Sequence, residues 1–140
     1  AIIDAQEDVN EKVLKAASEQ GIKYYRTNWL RYQDGDDVVT VIPEFQKKLA
    51  ALAKLNEKYG MYGGYQNHAG VRYVGAPIWD IAYMLREIDH PNLGSQYDIR
   101  HATVEGGVAW PLGLQYIHPH INTLVIKDFR WEKIDGKWNV

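Results

Sequence analysis

Four short polar runs carry the residues of this chain that could do chemistry: Arg26-Thr27-Asn28-Trp29, Gln66-Asn67-His68-Ala69-Gly70, Asp98-Ile99-Arg100-His101 and Lys127-Asp128-Phe129-Arg130-Trp131. Asp98 and His101, spaced as Asp-x-x-His, can bring a carboxylate and an imidazole to one site as a strand turns into its loop. A simple hydrogen bond between the two is the plainer reading of the same spacing. His68 could ligate a metal, shuttle a proton or hydrogen-bond a hydroxyl, because a neutral imidazole has one donor and one acceptor nitrogen. Lys127 and Asp128 could form an ion pair, or Lys127 could bind a substrate oxygen with Asp128 orienting it. Trp29, Trp131, Tyr24, Tyr65 and Tyr97 could offer flat faces to a sugar ring, although core or rim packing is the commoner use of such residues. His118 and His120 around Pro119, and His90 before Pro91, read as helix-end and turn residues. The chain has no cysteine, which removes thiolates as nucleophiles or ligands.

Each run needs an element to aim it. Residues 8–20 have helical spacing, with Val9, Val13, Ala16 and Ala17 on one stripe, Asp8 as N-cap and Gly21 as stop. Residues 22–26 follow as a strand. Phe45, Leu49, Leu52, Leu55 and Tyr59 recur every three or four residues in a second helix that starts near Pro43 and ends at Gly60. Residues 61–66 form the second strand. Pro77 opens a third helix with the stripe Ile78, Ile81, Ala82, Leu85 and Ile88, and residues 93–98 form the third strand. Residues 110–121 read as a weaker helix interrupted by Gly113 and Pro119. Residues 123–128 are the fourth strand, most apolar at Leu124, Val125 and Ile126.

Alternation of helix and strand at this spacing is the pattern of βα units around a parallel sheet. The strand ends are evenly spaced, 32 positions from Gln66 to Asp98 and 30 from Asp98 to Asp128. No Gly-x-Gly-x-x-Gly turn follows a strand, which argues against a dinucleotide-binding sheet and for a partial (βα)8 TIM barrel of the α/β class. Eight units need roughly 250 residues. The 140 residues are therefore expected to hold about four of the eight units, as one domain from the central part of a barrel and a fragment of a longer protein. With 16 Lys plus Arg against 18 Asp plus Glu, scattered along the chain, no positive surplus exists to neutralise phosphates, so nucleic acid is not an expected partner. No run reaches the roughly 18 apolar residues of a spanning helix, so neither is a membrane. The compartment, cytoplasmic or periplasmic, stays open.

In parallel α/β folds the C-terminal strand ends converge on one face, where ligands bind. Four polar runs in the same register point to a cleft there, although polar residues also begin loops without any function. Their residue types suit sugar, phosphate and metal chemistry better than plain turns.

The same runs resemble those of the xylose isomerase-like TIM barrel superfamily, the sugar phosphate isomerase/epimerase group that includes ketose 3-epimerases and endonuclease IV. The similarity covers the whole chain, roughly barrel units three to seven. Tyr65-Gln66-Asn67-His68-Ala69-Gly70 is similar to the segment where that group carries Glu-Asn or His-Asn-His. Tyr97-Asp98-Ile99-Arg100-His101 is similar to its Asp-x-x-His segment, and Val125-Ile126-Lys127-Asp128 to its His-x-Lys-Asp segment. The resemblance implies a divalent metal (Mn, Zn, Co or Mg) held by Glu, Asp, His and Glu, which polarises a ketose while carboxylates move a proton on the neighbouring carbon. It makes Asp98 the metal ligand and His101 the substrate-facing histidine. Gln66 stands where the ketose epimerases have the first Glu, and an amide is a poorer ligand and no base. Val125 stands at a ligand His and cannot ligate. The last Glu is expected beyond residue 140, and His68 is the candidate substitute ligand.

The expected function is that of an isomerase, epimerase or lyase acting on a small-molecule carbohydrate, a sugar or keto-sugar, by proton abstraction next to a carbonyl. His68 or His101 would be the acid/base, and Lys127 with Arg130 would bind the oxyanion or a hydroxyl. Arg26, Gln66, Asn67 and Asp128 complete the expected substrate-binding set. A catalytically degenerate sugar-binding relative or partner subunit is the alternative. A nuclease of the endonuclease IV type is disfavoured by the negative charge and the missing ligands. A second copy of the chain, or the remainder of the barrel, is the expected protein partner.

Overall fold

A helix precedes each strand in the order that the hydrophobic periodicity requires. The computed structural model describes residues 7–139. Helix α1 (Glu7–Glu19) leads to β1 (Tyr24–Arg26), α2 (Val38–Lys58) to β2 (Tyr62–Gln66) and α3 (Trp79–Ile88) to β3 (Leu93–Asp98). Two short helices, α4 (Ile99–Gly106) and α5 (Trp110–Ile117), lead to β4 (Ile121–Val125). The strands pair in chain order and all in parallel. They form a curled half-barrel, so the expected partial (βα)8 architecture is the one observed.

Register decides which side chains share a face. Arg26 lies beside Gly64, Gln66 beside Gln96, and Asp98 beside Val125. Side chains alternate along a strand, so Gly94, Gln96 and Asp98 of β3 face the concave side while Leu93, Ser95 and Tyr97 face the helices. Tyr65 and Tyr97 are buried in one cluster with Leu49 and Leu52 of α2, Ile81, Met84 and Leu85 of α3, and Ile117 of α5. These two tyrosines are core residues and offer no face to a sugar.

Several elements depart from the sequence expectations for identifiable reasons. Asp8 lies inside α1 rather than before it. The helix is also rotated: Leu14 is buried while Val9 and Val13 are exposed. The rotation follows from polar contacts to the end of α2, where Glu11 accepts from Lys58 and from the Tyr59 hydroxyl, and Ser18 donates to the Tyr59 carbonyl. Helix α2 starts at Val38, capped by Asp37, whose carboxylate accepts from the Val39 amide at 3.1 Å. Pro43 therefore sits in the second turn, where it removes one backbone hydrogen bond. Gly113 does not interrupt α5. It is buried, and a Cβ there would lie 2.6 Å from Ile78 Cγ2, so the glycine lets the start of α3 pack closely on α5. Strand β4 ends at Val125, earlier than expected, which leaves Lys127 and Asp128 beyond it. After it, β5 (Glu132–Ile134) and β6 (Lys137–Asn139) form a separate antiparallel hairpin. Its turn is Asp135-Gly136, both with positive φ, the pairing that a tight two-residue hairpin turn needs.

Candidate functional site

The site is built where β2 and β3 end. Asp98 closes β3 with extended backbone and serves as N-cap of α4: its Oδ1 accepts from the His101 amide at 3.1 Å. The Asp-x-x-His spacing is thus the spacing of an N-cap and its third helical residue. This cap also turns the His101 ring back beside the carboxylate, with Nε2 3.6 Å from Asp98 Oδ2. Asn67 fixes the other strand end. Its Oδ1 accepts from the Asp98 amide at 2.7 Å and its Nδ2 donates to the Asp98 carbonyl at 3.1 Å. Both groups of this buried amide are committed to backbone, so Asn67 positions Asp98; the substrate contact expected of it is not what its geometry serves.

Asp98 is the centre of the cluster and is fully buried. Its Oδ2 accepts from Gln66 Nε2 at 2.7 Å and from Lys127 Nζ at 2.6 Å. Burial alone would push its carboxyl up, but Lys127, the His101 amide and Gln66 outweigh burial and hold it below the ordinary carboxylate value. Gln66 is oriented by its other end, where Oε1 accepts from Arg26 Nη1 at 3.1 Å. The Arg26 guanidinium also lies 4.2 Å over the Trp29 ring, whose Nε1 donates to the Gln66 carbonyl at 3.1 Å.

The two histidines differ. Burial pushes His101 down to about 4, against the attraction of Asp98, so it is neutral near pH 7. Arg100 Nη1 lies 3.1 Å from His101 Nδ1 and Lys127 Nζ lies 3.5 Å from its Nε2, so each ring nitrogen faces a group that can only donate. His68 is only half-buried, and its ring is stacked between Tyr73, at 4.3 Å, and His101, at 4.2 Å. Its Nδ1 lies 2.8 Å from the Ala69 carbonyl, which can only accept. In the neutral ring Nδ1 therefore carries the proton and Nε2 is the basic nitrogen.

The structure thus brings together Arg26, Gln66, Asn67, His68, Asp98, His101 and Lys127. It does not bring in Asp128 or Arg130. The Asp128 carboxylate is exposed and accepts from the Phe129 amide, while Arg130 pairs with Glu132 at 3.1 Å. Lys127 pairs with Asp98 rather than with Asp128, because successive residues of an extended segment point to opposite sides. Two contributors were not expected from the sequence. Tyr73 backs His68, and its hydroxyl accepts from Arg31. Asp80, buried in the first turn of α3, accepts from the Tyr32 hydroxyl at 2.8 Å and from the Gly75 amide at 2.9 Å. Gly75 has φ +88, and a Cβ there would come within 3.3 Å of the Asn67 Cα, so Asp80 anchors the loop that supports the β2 end.

The donor set does not fit the divalent metal that the resemblance implies. Both Asp98 oxygens already accept hydrogen bonds, one of them from an ammonium. Gln66 turns its nitrogen, which cannot ligate, toward Asp98, and Val125 offers an alkyl group at the adjoining position. No group of three His, Asp or Glu suited to a metal exists among the described residues.

Comparison with known proteins places the fold. The profile of the family described as xylose isomerase-like TIM barrel matches residues 4–139. The chain belongs to that family. Among solved structures, this xylose isomerase-like chain is similar to a D-tagatose 3-epimerase-like protein, with 19% identity and a TM-score of 0.64 over 87% of this chain and 50% of that one. It is also similar to the probable 3-DHS dehydratase of Bacillus anthracis involved in petrobactin synthesis, with 17% identity and a TM-score of 0.69 over 87% and 45%. A third is a xylose isomerase-like TIM barrel protein from Mycobacterium smegmatis in complex with magnesium, with 15% identity and a TM-score of 0.64 over 99% and 52%. At these identities the likeness is one of fold. The chain spans about half the length of these structures. A search of curated proteins found no match.

Proposed function

We propose that the protein moves a proton on the carbon next to a carbonyl of a sugar or keto-sugar, as an isomerase, epimerase or dehydratase-type enzyme does. The observation that carries this reading is the presence, at the ends of β2 to β4, of a half-buried imidazole with a basic Nε2 and of an ammonium fixed on an ionised carboxylate. In the forward step the C–H proton goes to His68 Nε2. The bonding pair moves toward the carbonyl oxygen, and Lys127 stabilises the charge that develops there. Return of a proton to the opposite face of that carbon, which needs a second acid or turnover of the enediolate, gives the epimer; return to the former carbonyl carbon, with a hydroxyl proton moving between the two oxygens, gives the isomer. Family membership and the epimerase-like and dehydratase neighbours support this class of reaction.

The test is solvent deuterium exchange into a panel of keto-sugars by the full chain, followed by mass spectrometry. Exchange is expected on at least one keto-sugar, with His68→Gln slowing it by about 100-fold or more. A folded protein that exchanges none of them contradicts the reading. A second reading, a sugar-binding relative without turnover, is favoured by Gln66, an amide where a base is expected. Binding of a keto-sugar without exchange would select it.

A further inference from the structure

Asp80 takes no part in the proposed reaction, yet it is a buried carboxylate lining a cavity of about 550 Å³ beside the first turns of α2 and α3. Its Oδ1 accepts from the Gly75 and Ile81 amides and its Oδ2 from the Tyr32 hydroxyl, all of them neutral donors. An asparagine could keep the same bonds, with its carbonyl on the two amides and its NH2 donating to the phenol oxygen. The fold therefore does not require the charge. The N-terminus of α3 favours an anion at this position, but burial still pushes the carboxyl up, as it does for a buried charge without a counter-ion. A cation in the cavity would offset that cost.

The walls suit one kind of cation. Trp79 and Tyr83 leave 49% and 46% of their surface exposed, and with Tyr32 they put three aromatic rings in the same lining as Asp80. Ring faces attract cations, and the neighbouring Tyr73 already carries one, the Arg31 guanidinium 4.1 Å from its ring centre. The surrounding charge has the same sense. Segments 31–42 and 71–83, which line the cavity, hold four aspartates against two arginines. Arg72 is paired with Asp34 at 2.7 Å, and Asp37 answers the N-terminus of α2 as its cap.

We propose that this cavity binds a small organic ammonium, with its charge toward Asp80 and its N-alkyl groups on the rings of Tyr32, Trp79 and Tyr83. Other occupants leave one of these features unused. A neutral apolar molecule gains nothing from Asp80, and an anion is repelled by it. A hydrated metal ion buries no carbon on Val38 and Ile42, which form the apolar wall on the α2 side. The volume lies in the range of small-molecule sites. His68, Asp98 and Lys127 play no part in this binding, so it stands or falls apart from the proposed reaction. The two sites meet where Tyr73 both lines the cavity and stacks on His68.

The test sets choline against its neutral isostere, in which a tert-butyl group replaces the trimethylammonium, and reads the indole N–H signals of the isotope-labelled full chain by NMR. The Trp79 signal is identified by its loss in Trp79→Leu. Choline is expected to shift it saturably, and the isostere to bind at least about 10-fold more weakly. Asp80→Asn, which keeps the hydrogen bonds at this position, is expected to weaken choline binding by about 10-fold or more and to leave the isostere unchanged. Equal affinity for the two probes, no saturable shift at Trp79, or undiminished choline binding by the folded Asp80→Asn protein overturns the assignment. If Asp80→Asn fails to fold, Trp79→Leu carries the test by calorimetry. Choline binding weakened by about 5-fold or more then supports the site, and unchanged binding overturns it. Choline binding without keto-sugar exchange would overturn the proposed reaction and leave this site standing; exchange without choline binding would overturn this site alone.

Discussion

Asp98 and Asp80 are both buried carboxylates that accept three hydrogen bonds, yet they are in opposite electrostatic situations. Asp98 receives an ammonium, a side-chain amide and a helix N–H, and is held below the ordinary carboxylate value. Asp80 receives a phenol and two backbone amides with no cation, and burial pushes it up despite those bonds. The first is a charged centre buried at the ends of β2 and β3. The second is a pin on the helix side that ties Tyr32, the Gly75 loop and α3 together. Burial and a full set of hydrogen bonds do not by themselves decide a carboxylate's charge; the cation does.

Removing the distinguishing partner at each site should break the comparison most sharply. Lys127→Met strands an ionised buried carboxylate and is expected to cost about 3 kcal/mol of folding stability, the low end for a broken buried pair because Lys127 is partly exposed. Urea unfolding near neutral pH checks it. Gly75→Ala forces a Cβ against Asn67 at positive φ, and a loss of about 1–3 kcal/mol is expected from the same measurement. Tyr32→Phe removes one neutral hydrogen bond from Asp80 and should cost about 1 kcal/mol.

Acid titration separates the two carboxylates by sign. A folded-state value below the unfolded one, as for Asp98, gives stability that is present above the ordinary carboxylate range and lost as pH falls through the folded value. A raised value, as for Asp80, costs stability as pH rises from the ordinary carboxylate value through the raised one. The stability difference between wild type and Asp98→Asn should therefore grow with pH in the acid range, and that between wild type and Asp80→Asn should shrink. Parallel curves for the two would remove the distinction. The smallest effect is expected at Asp128→Asn, within about 0.5 kcal/mol, because that exposed carboxylate bonds only its neighbour's amide.

Much of this frame was legible in the amino-acid order. The stripe Ile78, Ile81, Ala82, Leu85 gave α3, and strand formers before each polar run gave four parallel strands. The helix α4 is not legible as a helix, since Asp98 reads as a strand end leading into a loop; the aptness of an aspartate as N-cap is the available sign. The pairing of Lys127 with Asp98, 29 positions apart, depends on where β4 stops, and a strand end is poorly marked when Ile126 continues the apolar pattern. Alternation along an extended segment already forbade Lys127 and Asp128 from facing the same cleft. Tyr73 and Asp80 enter through packing of loops against α3, a contact that no local pattern encodes.

The most direct test of an ionised Asp98 held by Lys127 is a double-mutant cycle of Asp98→Asn and Lys127→Met, with folding stability of the full chain measured in urea near neutral pH. The two single changes should be coupled by about 1 kcal/mol or more, discounted for the exposure of Lys127. Additive effects within about 0.3 kcal/mol would contradict the account.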